Sequence, residues 1–278
     1  MAYPVVSAPY GLRPVNAIGN SNFAGVTREY PISYGYSTSI FNGDVVALNR
    51  GHCVRLSVTS GNAAGVAGVF MGCYYTDPTT KQQRFSQYWP ASTLAGDAVA
   101  IVSDDPDTVY KGVVCSTGTT VASGNLALVG QNLVMLNNTG STATGNSANA
   151  IQIDSPTVAP PTTATFPLRC VGIVKETAVS LGSSLVSGSI STKTYTVGAL
   201  PYAIPIGTDY YVLAANGQKI PSGSFIGTAA AAGATSVITN VTPLAAITDN
   251  TLYFTQYPEV LVKFNFGQSQ YDAGLSVA

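Results

Sequence analysis

A chain of 278 residues with 46% hydrophobic and only 9% charged residues can bury a real core and is too apolar to be disordered, since disordered chains are rich in charge and poor in hydrophobes. Twelve Lys and Arg against thirteen Asp and Glu, with the basic residues scattered, argue against a phosphate-backbone partner, which draws on clustered positive charge. An ordinary soluble domain has roughly 25% charged residues; the deficit here predicts broad faces covered by neighbouring subunits.

Residues 1–40 spread Pro4, Pro9, Pro14 and Pro31 and the aromatics Tyr3, Tyr10 and Phe23 over small residues, the pattern of an extended N-terminal arm whose prolines lower the entropy lost on ordering. A strand laid along its own domain is the equal alternative. The start lacks the basic and apolar runs of a secretory signal, and no apolar stretch nears the roughly 18 residues of a membrane span. Synthesis in the cytoplasm and no membrane partner are therefore expected.

Residues 41–116 read as a first β unit. The runs 45–48, 54–58, 66–75, 99–102 and 109–114 are short, rich in β-branched residues or Tyr, and closed by turn formers. Gly43-Asp44-Val45-Val46 is echoed by Gly96-Asp97-Ala98-Val99, which predicts two similar hairpin starts. Asp104-Asp105-Pro106-Asp107 lacks the spacing of a twelve-residue calcium loop and reads as a tight turn, because Asp caps its own backbone and Pro presets the reversal. Residues 117–165 turn to Ser, Thr, Asn and Gly, a connecting region in which 126–129 is one further strand candidate. Residues 166–278 read as a second β unit with a C-terminal tail, its strands at 168–174, 195–197, 210–213, 236–239 and 260–266. Two short segments, 228–234 and 242–248, have weak helical character. The predicted class is mainly β, made of β-barrel or β-sandwich units with an extended N-terminal arm and few short helices.

Reactive chemistry is poorly served. One histidine, His52, stands at a predicted strand edge, so nucleophile–imidazole arrangements have a single candidate and a turn histidine is the simpler reading. Cys53, Cys73, Cys115 and Cys170 form no close pair, which leaves zinc without a ligand set and points to reduced core residues. No phosphate loop is present. The expectation is a protein that is not an enzyme and takes no cofactor or metal.

The order of Pro9-Tyr10-Gly11-Leu12-Arg13-Pro14, Ser39-Ile40-Phe41-Asn42-Gly43-Asp44-Val45-Val46, Gly65-Val66-Ala67-Gly68-Val69-Phe70 and Asp104-Asp105-Pro106-Asp107 resembles the capsid cement (decoration) proteins of short-tailed marine and freshwater phages. The likeness is densest over residues 1–115 and returns weakly at 223–235 and 259–270. It implies a structural virion protein on the outer surface of the capsid that binds the major capsid protein and locks adjacent capsomers. It also implies a homo-oligomer, a trimer in preference to a dimer, with no direct nucleic-acid contact. By residue type, the contacts expected are Tyr3, Tyr10, Arg13 and Phe23 in the arm, Tyr88 and Trp89 in the densest aromatic run, and Phe266 and Tyr271 in the tail. The rival reading is a receptor- or glycan-binding fibre-tip protein with a sugar-stacking surface around Trp89.

Overall fold

The structure, a computed structural model, describes residues 6–17, 21–22, 25–56, 65–152, 166–188, 193–200, 204, 208–213, 219–220, 226–228, 230–240 and 251–265. It is mainly β, as the short β-branched runs predict. The chain divides into two compact units. The larger comprises Ala8–Thr120, Gly130–Gly172 and Val260–Ala278, and the other comprises Met1–Ser7, Val121–Val129 and Ile173–Glu259.

In the larger unit the strands run β1 (Arg13–Ala17), β2 (Ser21–Asn22), β3 (Arg28–Pro31), β4 (Ile40–Phe41), β5 (Val45–Asn49), β6 (His52–Arg55), β7 (Val66–Thr76), β8 (Gln83–Ser86), β9 (Tyr88–Trp89), β10 (Val99–Ser103), β11 (Thr108–Cys115), β12 (Asn132–Leu136), β13 (Ala150–Gln152) and β14 (Leu168–Ile173). The inserted unit follows with β15 (Val179–Gly188), β16 (Thr194–Val197), β17 (Asp209–Leu213), β18 (Lys219–Ile220), β19 (Ile226–Thr228), β20 (Ser236–Thr239) and β21 (Thr251–Gln256), after which β22 (Glu259–Phe264) returns to the larger unit.

One sheet of the larger unit has the order β13-β12-β14-β22-β11-β1-β2, and β13 also pairs with β11, parallel, through Val114↔Ile151 and Cys115↔Gln152. Strands β11, β22, β14, β12 and β13 therefore form a closed ring, which leaves no free edge among them. Tyr110 on β11 and Phe264 on β22, both buried, meet at 5.2 Å between ring centroids. A second sheet has the order β3-β10-β7-β5-β6, with β8 also on β7. Its central strand is buried on both faces because it carries apolar residues at nearly every position, VAGVFMGCYYT. The core beneath it gathers Ile40, Val46, Cys53, Phe70, Tyr75, Trp89 and Val102.

The motifs at residues 9–14 and 39–46 meet. Gly11 and Gly43 both have positive φ, 79° and 95°, and a Cβ on Gly11 would lie 2.6 Å from the Gly43 carbonyl oxygen, so only glycine lets these two backbones touch. The Leu12 N–H donates to that same carbonyl at 3.0 Å.

The inserted unit is one antiparallel sheet of order β18-β17-β21-β15-β16-β20-β19 among the described residues. Its buried side includes Tyr195, Val197, Ile204, Tyr210, Val212, Ile226, Leu252 and Phe254.

Several expectations are corrected. The described part of residues 1–40 is not a free arm: β1 pairs with β11 and β3 with β10, so their backbone groups are satisfied within their own unit. Pro14 is tolerated because the register shifts between Pro14 and Asn16, and Pro31 because β3 pairs on one side only among the described residues. The 117–165 segment is not merely a connection, since it supplies β12 and β13 to the ring. Nor is 166–278 one unit, since β14 and β22 are neighbours in the larger unit and the second unit is inserted between them. Residues 126–129 hold a 3₁₀ turn, Leu126–Leu128, where a strand was expected. In the 228–234 segment Thr228 ends a strand and Ala230 bridges to Ile204, and no helix forms among its described residues. The 242–248 segment lies outside the described residues.

Candidate functional site

A heavily bonded polar cluster of the larger unit lies beside the Gly11–Gly43 contact. Asp44, fully buried, accepts the Phe41 N–H at 2.9 Å, the Ser147 hydroxyl at 2.6 Å and the Asn149 side-chain amide at 3.0 Å. Arg55 Nε stands 3.0 Å from Asp44 Oδ2, the oxygen that also accepts the Phe41 N–H. Burial pushes the Asp44 carboxyl up from the ordinary carboxylate range, while Arg55, Ser147 and the Phe41 N–H pull it down. Arg55 also donates to the Asn138 carbonyl at 2.7 Å and to Asn149 Oδ1 at 3.2 Å. Alongside, Arg13 donates to Asn42 Oδ1 and, at 2.6 Å, to Asn146 Oδ1. Residues 13, 42, 44 and 55 thus clamp residues 138–149 onto the body. Most donors and acceptors of this cluster bond to one another, while Arg55 Nε faces Asp44 as an ion pair without an aligned hydrogen bond, and together they form a structural clamp.

A cleft of about 430 Å³ opens where the chain leaves β3 and passes the β5–β6 hairpin, lined by Ser33, Tyr36, Asn49, Arg50, His52 and Val54. The hairpin turns on Arg50 and Gly51, both at positive φ, the two-residue geometry that matches strand twist. The Arg50 carbonyl lies 3.3 Å from His52 Nδ1, a contact that is a hydrogen bond in the tautomer with its proton on Nδ1. Tyr36 Oη accepts the Arg55 N–H at 3.0 Å. Among the described residues that line it, none is a carboxylate that could pair with the imidazole.

The surface is more informative. Phe85 on β8 is 74% exposed, Tyr34 67% and Leu94 56%. Tyr34 and Leu94 lie on abutting turns: the Gly35 N–H donates to the Thr93 carbonyl at 3.2 Å, and a Cβ on Gly35 would sit 3.5 Å from Leu94 Cδ2. Phe85 leans on Tyr74 with centroids 5.7 Å apart, and Tyr74 donates to Glu29 Oε2 at 2.9 Å. Strand β8 is bonded to β7 alone among the described residues, so Phe85 sits on a sheet margin.

Of the residues expected at contacts, Trp89 is corrected outright. It is wholly buried, edge-on to Tyr75 at 5.3 Å, with its indole N–H donating to the Tyr36 carbonyl at 3.3 Å, so it can neither stack on a sugar nor touch a partner. Tyr88 is half-buried and stacks on Phe41 at 5.5 Å. Tyr10 is half-buried, with the Arg13 guanidinium 6.0 Å and Lys111 Nζ 5.7 Å from its ring centroid. Arg13 is committed to the clamp. Tyr3, Phe23, Phe266 and Tyr271 lie outside the described residues. The exposed Tyr34 and Leu94 escaped the sequence reading, and Phe85 entered it only as the first residue of the aromatic run 85–90; the signal available for Phe85 was its place between polar neighbours in Gln83-Arg84-Phe85-Ser86, while the bend at Gln87 breaks the alternation before the inward Trp89.

The acidic segment is a turn. Asp105 accepts the Asp107 N–H at 2.9 Å through its side chain and the Thr108 N–H at 3.1 Å through its carbonyl, while Asp104 receives Tyr30 Oη at 2.8 Å and Arg28 Nε at 3.2 Å. Among the described residues no three His, Cys, Asp or Glu side chains gather as a metal site. All four cysteines are buried thiols, and burial pushes Cys53 and Cys73 up to about 12 and Cys115 and Cys170 to about 11.

No family model, no curated protein and no solved structure matches this chain.

Proposed function

We propose that the chain is a non-enzymatic structural subunit of a phage virion, seated on the outer surface of the capsid, where it bridges neighbouring copies of the major capsid protein. The observation that carries this reading is the presence of Phe85, Tyr34 and Leu94, large and exposed, on a chain with 9% charged residues. Aromatic anchors set in a low-charge surface are what protein interfaces select, and each side chain withdrawn from water contributes about 1.5–3 kcal/mol. A shell of many copies needs only modest contacts at each one, since linked sites raise avidity by roughly 10²–10⁴. Self-association, as a trimer, is part of the proposal. A closed ring and a clamped loop suit such a role, because they hold a contact surface in one shape.

The test is decoration of emptied capsids by the purified protein, read by cryo-electron microscopy and by co-sedimentation. Occupied sites at capsomer joints, lost in the triple variant F85S/Y34S/L94S with its fold intact, are expected. A soluble monomer with no affinity for itself or for a shell would overturn the proposal.

A further inference from the structure

The cleft beside the β5–β6 hairpin, independent of the capsid reading, is lined by polar side chains that the fold leaves unused. Its volume, about 430 Å³, is that of a small-molecule site. Of its lining residues, Ser33, Asn49 and Arg50 make no side-chain hydrogen bond or ion pair among the described residues. Tyr36 is held in place by its own carbonyl, which accepts the Ser92 N–H at 2.7 Å and the Trp89 indole N–H at 3.3 Å. Its hydroxyl accepts the Arg55 N–H at 3.0 Å and keeps its own proton to donate.

Arg50 occupies a position that suits other residues better. Its φ is 49° and that of Gly51 is 82°, and the first central position of such a hairpin turn favours Asn, Asp or Gly. A larger side chain there is crowded, because the left-handed region brings Cβ against the following carbonyl. Residues held in strained conformations cluster at ligand sites. What arginine adds at this tip is a charge that no accessible pH removes, on an exposed side chain at the cleft wall. None of the lining residues is an acid that would neutralise it.

One permanent positive charge, uncommitted hydrogen-bond donors and the apolar surface of Val54 and Tyr36 complement a single negative charge on an apolar body. The planar guanidinium matches a carboxylate through two parallel bonds. A phosphate ester, which carries roughly −1.5 to −2 charges at pH 7, exceeds what Arg50 alone balances. We infer that this cleft binds a small monocarboxylic acid in its ionised form, the carboxylate on Arg50 and the apolar body against Val54 and Tyr36.

His52 is the single histidine and lines the cleft, so its ring-proton NMR signals report occupancy without overlap from another imidazole. The full-length protein is titrated at constant pH with benzoate, with benzamide as the uncharged counterpart and with phenyl phosphate as the dianion. Benzoate is expected to shift those signals saturably and with the highest affinity of the three. R50N should weaken benzoate binding roughly ten- to a hundredfold, the scale of a lost hydrogen bond between charged groups. The same variant should melt at an unchanged or higher temperature, because Asn-Gly suits this turn better than Arg-Gly, so loss of binding would not reflect loss of the fold. No saturable shift, binding of benzamide or phenyl phosphate as tight as that of benzoate, or equal benzoate affinity in R50N and wild type overturns the inference.

Discussion

Arg55→Met isolates the clamp. In the wild type the Asp44 carboxylate has no exposed surface, and the Arg55 side chain that faces it is 17% exposed. Methionine keeps the length of the stem but removes the charge, which strands a buried carboxylate and deprives the Asn138 carbonyl and Asn149 Oδ1 of a donor. Breaking a buried pair from one side costs about 3–5 kcal/mol, because the remaining charge stays out of water without its partner. With a urea slope of about 3 kcal/mol/M, the midpoint falls by roughly 1–1.7 M. Trp89 is the single tryptophan and lies in the core of the larger unit, so its fluorescence follows that unit alone. The effect has a pH signature. Burial raises the folded-state value of Asp44, so the folded state takes up this proton more readily than the unfolded chain and gains stability from it as the pH falls. Losing Arg55 removes the largest opposing influence and raises that value further. The gap between wild type and variant should therefore narrow on acidification, as protonation of Asp44 removes the stranded charge. A midpoint within 0.2 M of wild type, roughly the extrapolation error of such curves, or a gap that widens on acidification, would refute the account.

Trp89→Ala should destabilise the larger unit by about 3–5 kcal/mol through the cavity it leaves, measured by chemical unfolding followed by circular dichroism, while a Trp89 at a contact would instead show a binding defect with near-native stability. Phe85→Ser should change stability by no more than about 0.5 kcal/mol, since the side chain is mostly in water, yet reduce self-association or capsid occupancy measured by sedimentation. The four thiols should resist a thiol-specific colorimetric reagent at neutral pH and react together on unfolding; rapid reaction of any one in the native protein would contradict its burial and raised titration range. Gly11→Ala should lower the yield of folded protein, since its Cβ would meet both the Gly43 carbonyl and Ser147 within 3 Å at a positive φ; near-native yield and midpoint would show that the two backbones can part.

The strands themselves were legible in the residues, because β-branched runs closed by glycine or asparagine act through local sterics: Val45–Asn49, Val66–Thr76 and Val99–Ser103 stand where those runs lie. So was the turn at Asp104 to Asp107, whose side chains bond to their own backbone. Adjacency was not, since a strand's pattern states which face is apolar but not which edge it will meet. The parallel contact of β11 with β13, the insertion between β14 and β22, and the docking of β1 at a bulge that tolerates Pro14 are choices among distant partners. Composition alone determined a folded, β-rich, charge-poor chain; only the tertiary structure decided that Trp89 points inward and Phe85 outward, because burial and cross-strand register are properties of the assembled sheet.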